Sequence, residues 1–336
     1  MLVKAIELRS AGKTGQPPCE VANHGCAELK ALPALYARFG MILASGDGVT
    51  LSHIVLNGNR QGRGGTPAYA KCSTLEDNSL GMNGAFMCSN CTLSHSVAKN
   101  ALCGTGFLVA GAISNVSIIN NTFAENGVHT VANLWADGLT VHDAPNSTFT
   151  GNTFIDNTDI DLIFGGCTSC KIQSNKIVHS ANASGGAFAA LMIQKWPTTS
   201  GCYADVDVSH NSIDCGPNRL CGSGIYIGSE SWYPETPYGT LTPGTTSGSI
   251  HHNSIVNAMN GLYIAAQGLT IYQNGVLNAH GVSIPNSCHT PLVSATPYVV
   301  SPTSKDIHFM GENVDPVMKV HFSSASWAGC IPNFPF

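Results

Sequence analysis

The sequence predicts an all-β solenoid, in which short strands of successive coils stack into long parallel sheets. Only 10% of the 336 residues are charged, whereas 36 are Gly. A helical bundle needs a surface rich in Lys and Glu, and a disordered chain needs high charge and few aliphatic residues, so this composition excludes both. Short apolar segments separated by Gly and Asn also recur along the chain. Such units bury an apolar face only by stacking on their neighbours.

The repeat is marked by an Asn between two short strands. It is plain in Val-Asp-Val-Ser-His-Asn-Ser-Ile (206–213) and in Gly-Ser-Ile-His-His-Asn-Ser-Ile (248–255). We expect the side-chain amides of successive coils to bond to one another and to nearby backbone, with the Asn itself in the left-handed conformation of a turn. The shared positions are Asn121, Asn152, Asn175, Asn211, Asn253 and Asn274.

A second, longer apolar strand follows in each unit, and its copies align into three columns. The alignment places Tyr226 and Tyr263 side by side on what we expect to be an open outer face with small neighbours. Because aromatic rings pack against the C–H surfaces of sugars, this face is a candidate glycan groove. The columns are Gly138/Asp161/Ala190/Gly224/Gly261, then Thr140/Ile163/Met192/Tyr226/Tyr263, then His142/Gly165/Gln194/Gly228/Ala265.

On these repeats, residues 40–285 resemble the right-handed parallel β-helix proteins of the pectate-lyase-like superfamily. The resemblance implies a right-handed parallel β-helix and a carbohydrate-active protein that works in a groove along one outer face. We therefore predict three parts. Residues 1–40 form an N-terminal strand and helix cap, with the helix at 27–39; residues 41–285 form the β-helix; and the tail at 286–336 packs back on the solenoid.

The 13 cysteines indicate an oxidising compartment, so we predict an extracellular or periplasmic protein stabilised by disulfides. Cys19 with Cys26 and Cys288 with Cys330 are plausible pairs. Two CxxC segments, 88–91 and 167–170, have the spacing of zinc ligands, but no further Cys or His follows at finger spacing. Structural thiols or disulfides are therefore the default interpretation for both segments.

Charge and hydropathy also limit the partners of this chain. The net charge of −5, with no cluster of basic residues, predicts no nucleic acid binding. No apolar run reaches 18 residues, so no membrane span is predicted. The oligomeric state is not predicted by any of these patterns. A polysaccharide or oligosaccharide is the expected partner.

Acidic residues are scarce, so their clustering in residues 134–164 is informative. In the aligned register Asp137 lies one column from Asp159 and Asp161 on the next coil, about 6 Å away at backbone level. Two carboxyl groups at such a separation suit glycoside hydrolysis, which needs one protonated acid and one ionised base or nucleophile. Turn capping, or a Ca²⁺ ion held by the three carboxylates, are the alternatives. Asn157-Thr158-Asp159 resembles the Asn-Thr-Asp segment of polygalacturonases, but the later catalytic elements of that family are missing.

A different chemistry is possible at the other margin of the same face. His142 and Asp143 precede Lys195 by two coils, and Val-His-Asp resembles a segment of mannuronan C5-epimerases. A lyase or epimerase removes the C5 proton of a uronate with a base and neutralises the carboxylate with a cation. An acidic polymer should meet several cations, however, and Lys195 is essentially alone.

The leading hypothesis is therefore an extracytoplasmic enzyme that cleaves or transfers glycosyl units of a neutral polysaccharide or oligosaccharide. Asp137, Asp159 and Asp161 would supply the acid and the base, without a required cofactor. A uronate lyase or epimerase using His142, Asp143 and Lys195 is the enzymatic alternative, and a non-catalytic glycan-binding or adhesin module is the alternative from another class. The predicted substrate-binding residues are Gln194, Lys195, Trp196, Tyr226, Glu230, Trp232 and Tyr263.

Overall fold

A computed structural model describes residues 6–311 except 12–14, 23–24, 132, 184, 197, 229–246, 280–282, 285–286, 292–297 and 301–303, together with residues 318–319. Within these residues the chain winds through three long parallel sheets, and each coil contributes one strand to each sheet. Strands of one sheet are neighbours in space but about one coil apart in sequence. This is a parallel β-helix, as the repeat predicted.

The three sheets are named here by their order along a coil. Sheet 1 contains strands Glu7–Arg9, Thr50–Ser52, Thr92–Ser94, Ser117–Ile119, Thr148–Thr150, Lys171–Gln173, Asp207–Ser209, Gly248–His251, Leu269–Tyr272 and His308–Met310. Sheet 2 contains Ala27–Lys30, Ile54–Asn57, Val97–Lys99, Thr122–Ala124, Thr153–Ile155, Lys176–Val178, Ser212–Asp214, Ser254–Val256 and Gly275–Leu277. Sheet 3 contains Ile42–Ala44, Gly84–Phe86, Gly104–Val109, Ala136–Asp143, Ile160–Gly166, Ala187–Ile193, Cys221–Gly228, Asn260–Ala265, Tyr298–Val300 and Met318–Lys319.

Few regular elements of the described chain lie outside these sheets. Strands Ser283–Ile284 and Ser287–Pro291 pair antiparallel. An α-helix at Pro67–Ser73, capped by Thr66, lies between two 3₁₀ turns at Arg60–Arg63 and Asn78–Leu80. No helix in the described part of the chain combines the length and apolar character needed to cross a membrane.

The helix predicted at 27–39 is wrong. Ala27–Lys30 is a strand that pairs in parallel with Ile54–Asn57, and Glu7–Arg9 pairs in the same way with Thr50–Ser52. Edge pairing with the first full coil satisfies the backbone of Ala27–Lys30, which outweighs the helix propensity of Ala-Glu-Leu-Lys. Two of the sheets therefore extend into the segment that was predicted to be a cap.

The predicted Asn column is a continuous ladder at the turn between sheets 1 and 2. In a typical step, Nδ2 of Asn175 donates to Oδ1 of Asn211 (2.9 Å) and to the carbonyl oxygen of Phe149 (2.9 Å). The backbone N–H of Asn175 also donates to Oδ1 of Asn211 (3.0 Å). The same pattern runs without interruption from Asn121 to Asn274.

The left-handed conformation falls one residue before the ladder, not on it. His53, His95, His210 and His252 occupy this preceding position with φ between 50° and 56°. Stacking of successive coils brings the imidazole rings together, at 4.9 Å for His53 and His95 and 5.0 Å for His210 and His252. The Asn side chains instead turn inward, where every one of their polar atoms finds a partner.

Five disulfides are formed among the described cysteines: Cys19–Cys26, Cys72–Cys103, Cys88–Cys91, Cys167–Cys170 and Cys215–Cys221. The predicted pair of Cys19 and Cys26 is confirmed. Both CxxC segments are disulfides, so neither supplies the thiolates of a zinc site. Among the described cysteines Cys202 is the one free thiol. The side chains of Cys288 and Cys330 lie outside the described residues.

We expect the substitution Asn175→Ala to destabilise the protein strongly. It deletes an amide that donates to two acceptors and accepts from the backbone N–H and side chain of Asn152. Each buried group left without a partner costs about 1–3 kcal/mol, so the free energy of unfolding should fall by roughly 3 kcal/mol or more in a urea titration. The matched control is Asn218→Ala, which removes an exposed amide with one hydrogen bond and should change stability by less than about 1 kcal/mol. Equal effects of the two substitutions would contradict the role of the ladder.

Candidate functional site

The columns predicted in the second strand set are confirmed as the register of sheet 3. Backbone pairing connects Thr140 to Ile163, Ile163 to Met192, Met192 to Tyr226 and Tyr226 to Tyr263. The two tyrosine rings stack with their centroids 4.6 Å apart and a 10° angle between their planes. The outer face of sheet 3 is thus assembled from residues that lie many tens of positions apart in sequence.

The strands of sheet 3 do not alternate strictly between the two faces. In strand Ala187–Ile193, both Ala190 and Leu191 pack in the interior of the solenoid, whereas Ala189 and Met192 pack in a separate cluster on the outer face. Two successive residues therefore face inward. On the neighbouring coil the inward pair is Asp161 and Leu162, with Ile160 and Ile163 facing outward.

The inward column explains the Gly that recurs in it. A Cβ atom on Gly138 would come within 2.5 Å of the carbonyl oxygen of Asp161 and 2.8 Å of the Phe154 ring. These distances are far shorter than van der Waals contact, so only Gly fits at this position between sheets 2 and 3.

Asp137 and Asp159 form a pair of carboxyl groups at the beginning of two neighbouring strands of sheet 3. Asp137 is 9% exposed, and it accepts hydrogen bonds from the Thr140 hydroxyl (2.5 Å) and the Ile160 N–H (3.1 Å). Asp159 is half-buried. Burial, followed by the charge of Asp159, raises the pKa of Asp137 well above its usual value, and burial raises the pKa of Asp159 to about 7. The pair therefore retains a proton near neutral pH.

Asp161 is not part of this pair, so the predicted cluster of three carboxylates is wrong. Its side chain faces the interior and is fully buried, with Oδ2 2.8 Å from Nε2 of His179. The other carboxylate oxygen accepts a hydrogen bond from Nδ2 of Asn157 (3.0 Å). Because two successive residues face inward, Asp161 lies on the opposite side of the strand from the Asp137–Asp159 pair. It holds the corner between sheets 2 and 3 together.

The His179 imidazole is adapted to this partner. Burial alone would lower its pKa, but the charge of Asp161 and the hydrogen bond to it outweigh burial, so the pKa of His179 is raised. The two side chains form a buried ion pair when His179 is protonated. This is a structural role, which the sequence did not distinguish from catalysis.

An aromatic row extends away from the carboxyl pair along the outer face. Phe188 lies in the same column as Asp159, on the next coil. Its ring is 5.7 Å from that of Tyr226, and Tyr226 stacks on Tyr263. The expectation that this face is open is wrong, since Tyr226 is 1% exposed and Tyr263 fully buried. The stacking was predictable from the alignment. The exposure was not, because an outer strand face is solvated only where nothing else covers it.

The predicted site residues at the His142 margin of the same face make different contacts. The loop after strand Ala187–Ile193 folds back over the sheet, so that the Trp196 ring meets His142 edge-on at 5.3 Å. Gly165 makes room for this loop, since a Cβ there would lie 2.3 Å from the Thr199 side chain. Burial lowers the pKa of His142 despite the opposing charge of Asp143, so its imidazole is neutral at pH 7.

Asp143 binds Ser200, in the loop that follows strand Ala187–Ile193. Both its carboxylate oxygens accept from the Ser200 N–H, at 3.0 and 3.2 Å, and the Ser200 hydroxyl also donates to it. This favours an anchoring role for Asp143 over the predicted catalytic one. The stem of Lys195 lies against Gly201, and Gln194 is fully buried. Glu230 and Trp232 lie outside the described residues.

The carboxylates do not converge as a calcium site would require. With Asp161 turned inward, Asp137 and Asp159 are left as a two-carboxyl pair. Within the described residues, no group of three or more His, Cys, Asp and Glu side chains is arranged to hold a metal ion.

Comparison with known proteins identifies the fold. Residues 52–202 match the family model described as "Right handed beta helix region". An endo-xylogalacturonan hydrolase from Aspergillus tubingensis superposes with a TM-score of 0.51 at 12% identity, over 96% of this chain and 86% of that chain. The A-module of a mannuronan C-5 epimerase from Azotobacter vinelandii gives a TM-score of 0.49 at 12% identity, over 93% and 81% of the two chains. No curated protein matches the sequence. The chain thus has a right-handed parallel β-helix fold, and these identities establish nothing beyond the fold.

We expect Asp159→Asn to stabilise the folded protein at and above neutral pH. An Asp carboxyl has a pKa near 3.9 in the unfolded chain and about 7 here, so the folded state binds more protons and loses stability as the pH rises from about 4 to about 7. The Asn variant should show a flatter dependence of melting temperature on pH over this window and a higher melting temperature at pH 8. A wild-type melting temperature that rises between pH 4 and pH 7 by as much as in the variant would contradict the raised pKa.

We expect substitution of His179 to destabilise the protein, whereas substitution of Asp159 should stabilise it at and above neutral pH. Replacing His179 with Ala leaves a buried carboxylate without its cation, which should cost about 3–5 kcal/mol of unfolding free energy. Because the folded pKa of His179 is raised, its contribution is full below about pH 6.5 and is lost as the pH rises through the folded value. The difference in stability between wild type and variant, measured by urea unfolding, should therefore be larger at pH 5.5 than at pH 9. A difference that grows toward pH 9 would refute the ion pair.

Proposed function

We propose that this protein cleaves or transfers glycosyl units of a neutral polysaccharide or oligosaccharide, with Asp137 and Asp159 as its catalytic acid and base. The observation that carries this proposal is the pair itself: two adjacent carboxyl groups on an outer sheet face, with the pKa of both raised by burial and that of Asp137 raised further by the charge of Asp159. Five disulfides among the described cysteines support an extracytoplasmic location.

Glycoside cleavage requires both protonation states at once. One carboxyl group protonates the oxygen of the leaving sugar, while the other, ionised, either attacks the anomeric carbon or takes a proton from the water that does. A pair that retains one proton near pH 7 meets this requirement without a metal. The Thr140 hydroxyl and the Ile160 N–H hold the Asp137 carboxyl in one orientation.

The charge of the sheet supports a neutral substrate. The strands of sheet 3 between Gly104 and Ala265 contain no Lys or Arg, and Lys195 comes just after one of them. A polyanionic chain lying along this face would meet the acidic pair with almost no compensating cation. The likeness to a xylogalacturonan hydrolase is one of fold alone, so the proposal rests on the residues of this chain.

A lyase or epimerase centred on His142 is the second candidate. The neutral imidazole of His142 is a suitable base, and it lies at the edge of the same face against Trp196. The engagement of Asp143 by Ser200 counts against the predicted His-Asp pair. A non-catalytic glycan-binding module remains the alternative in which neither group turns over substrate.

We expect Asp137→Asn and Asp159→Asn each to lower kcat by about 10²- to 10⁴-fold, the usual contribution of a general acid or base. New reducing ends would be measured on a panel of neutral glycans. Asp207→Asn is the matched control, because Asp207 lies on sheet 1 and binds Gln173 and His251. In the wild type, activity should decline as the pH rises above about 7, when the pair loses the proton that the leaving group needs.

The same assay separates the alternatives. Ultraviolet absorbance from unsaturated uronates, lost in His142→Gln but retained in Asp159→Asn, would replace the hydrolase with a lyase. Binding of a glycan without turnover in any channel would favour the binding module. Full activity in both Asp variants would refute the carboxyl pair.

A further inference from the structure

The first coil of the solenoid exposes apolar side chains that later coils bury. Backbone pairing connects Leu8 with Leu51 and Leu29 with Leu56. Leu51 and Leu56 are 0% and 1% exposed in the core, whereas Leu8 is 37% and Leu29 39% exposed. Of the eight large apolar side chains that are exposed in the described chain, five belong to this coil: Ile6, Leu8, Leu29, Leu32 and Tyr36. Exposed apolar patches of this kind mark interaction surfaces.

The two strands of this coil also have free edges. Glu7–Arg9 and Ala27–Lys30 are the terminal strands of sheets 1 and 2, and no strand among the described residues pairs with their outer sides. The loop that joins them leads away from the end, since the N–H of Cys19 donates to the carbonyl oxygen of His95, two coils further on (3.0 Å). Free strand edges pair readily with another chain.

The backbone groups at the free edges belong to charged residues. The Ile6 carbonyl accepts from the Thr50 N–H (2.8 Å), and the Ala31 N–H donates to the Asn57 carbonyl (2.9 Å). Because only every second residue of a strand bonds to a given parallel neighbour, the residues between them direct their N–H and C=O groups to the free edge. These residues are Glu7, Arg9, Glu28 and Lys30.

The charges of the two strands are arranged in the same order. Each strand contains an acidic residue, a Leu and a basic residue, as Glu-Leu-Arg in one and Glu-Leu-Lys in the other. If two such strands run antiparallel with their leucines opposite each other, every carboxylate faces a cation, which stabilises the pairing. The ion pair that Glu7 and Arg9 form with each other (3.3 Å) is exposed and contributes little on its own.

We propose that two copies of this chain associate through their N-terminal ends as a closed dimer. The Glu7–Arg9 strand of each copy pairs antiparallel with the Ala27–Lys30 strand of the other, and a twofold axis repeats the contact. Sheet 1 of one copy thereby continues into sheet 2 of the other, and the exposed leucines of the first coil become core residues. The facing pairs are Leu8 with Leu29, Glu7 with Lys30 and Arg9 with Glu28.

The opposite end of the solenoid does not offer the same complementarity. The last described strands of sheets 1 and 2 there, His308–Met310 and Gly275–Leu277, contain no Asp, Glu, Lys or Arg. Head-to-tail association would place the four charges of the N-terminal end against these strands without partners, and it would generate an open filament. The charge pattern therefore favours two N-terminal ends facing each other.

Charge-reversal variants test this interface. Sedimentation velocity over a wide range of protein concentration should show a dimer for the wild type. The acidic variant Arg9→Glu/Lys30→Glu and the basic variant Glu7→Lys/Glu28→Lys each replace all facing opposite charges with like charges, so each should weaken dimerisation by about 10-fold or more. An equimolar mixture of the two variants restores every opposite-charge pair and should dimerise again.

Matched controls separate this interface from general effects of charge. Lys171→Glu/Lys176→Glu reverses two exposed charges on sheets 1 and 2 in the middle of the solenoid and should leave the dimer intact. Leu29→Asp should abolish the dimer, whereas Leu75→Asp, at an exposed apolar residue outside the first coil, should not. Circular dichroism should show the wild-type spectrum for every variant, because all the substituted side chains are exposed.

The possible outcomes are distinct. Dimerisation that is lost in each charge variant and recovered in their mixture supports the proposal. A wild type that is monomeric at every concentration overturns it, as does a dimer that persists in both variants, because its interface would then lie elsewhere. Wild-type species that grow beyond a dimer with concentration would indicate a head-to-tail filament and would equally overturn the closed dimer.

Discussion

The hydrogen bonds of the Asn ladder are the constraint on which the rest of this structure depends. Each amide binds the next at a repeat of about 4.8 Å, and a shift of one residue in any coil would place a polar amide against apolar neighbours and leave several donors and acceptors unpaired. The ladder therefore fixes the register of sheets 1 and 2 coil by coil. Because the same coils supply the strands of sheet 3, the order and spacing of its strands follow from the ladder, even though the turns that lead to sheet 3 vary in length.

The register has a chemical consequence on sheet 3. It brings Asp137 and Asp159 together from successive coils, and the two consecutive inward residues of each strand send Asp161 to the other face. Two acidic side chains two positions apart in sequence thus do different things. Asp161 pairs with His179 and stabilises the corner between sheets 2 and 3. The pKa of Asp159 is instead raised by burial alone, so this carboxyl group can gain or lose a proton near neutral pH.

The fold and the alignment of the strands of sheet 3 could be predicted from the sequence, because both follow from its recurring pattern of residue types. The direction of each side chain could not be predicted in this way. Strict alternation predicts that Asp161 shares a face with Asp159, two residues before it, and the departure from alternation is a property of three-dimensional packing around glycines such as Gly138. Phe188 was missed for the same reason, since its place on the outer face is apparent only once the inward pair is known. The helix predicted at 27–39 failed because pairing with the Ile54–Asn57 strand outweighs local propensity.

The distribution of unfavourable features argues for where function lies. In the interior, the amides of the Asn ladder are bonded, rings are packed, and the Asp161 carboxylate has a histidine partner. On the outer face of sheet 3, by contrast, Asp137 lies beside the charge of Asp159, which raises its pKa in addition to the effect of burial. Like charges that folding does not require mark this end of the face as the part shaped by function rather than by folding.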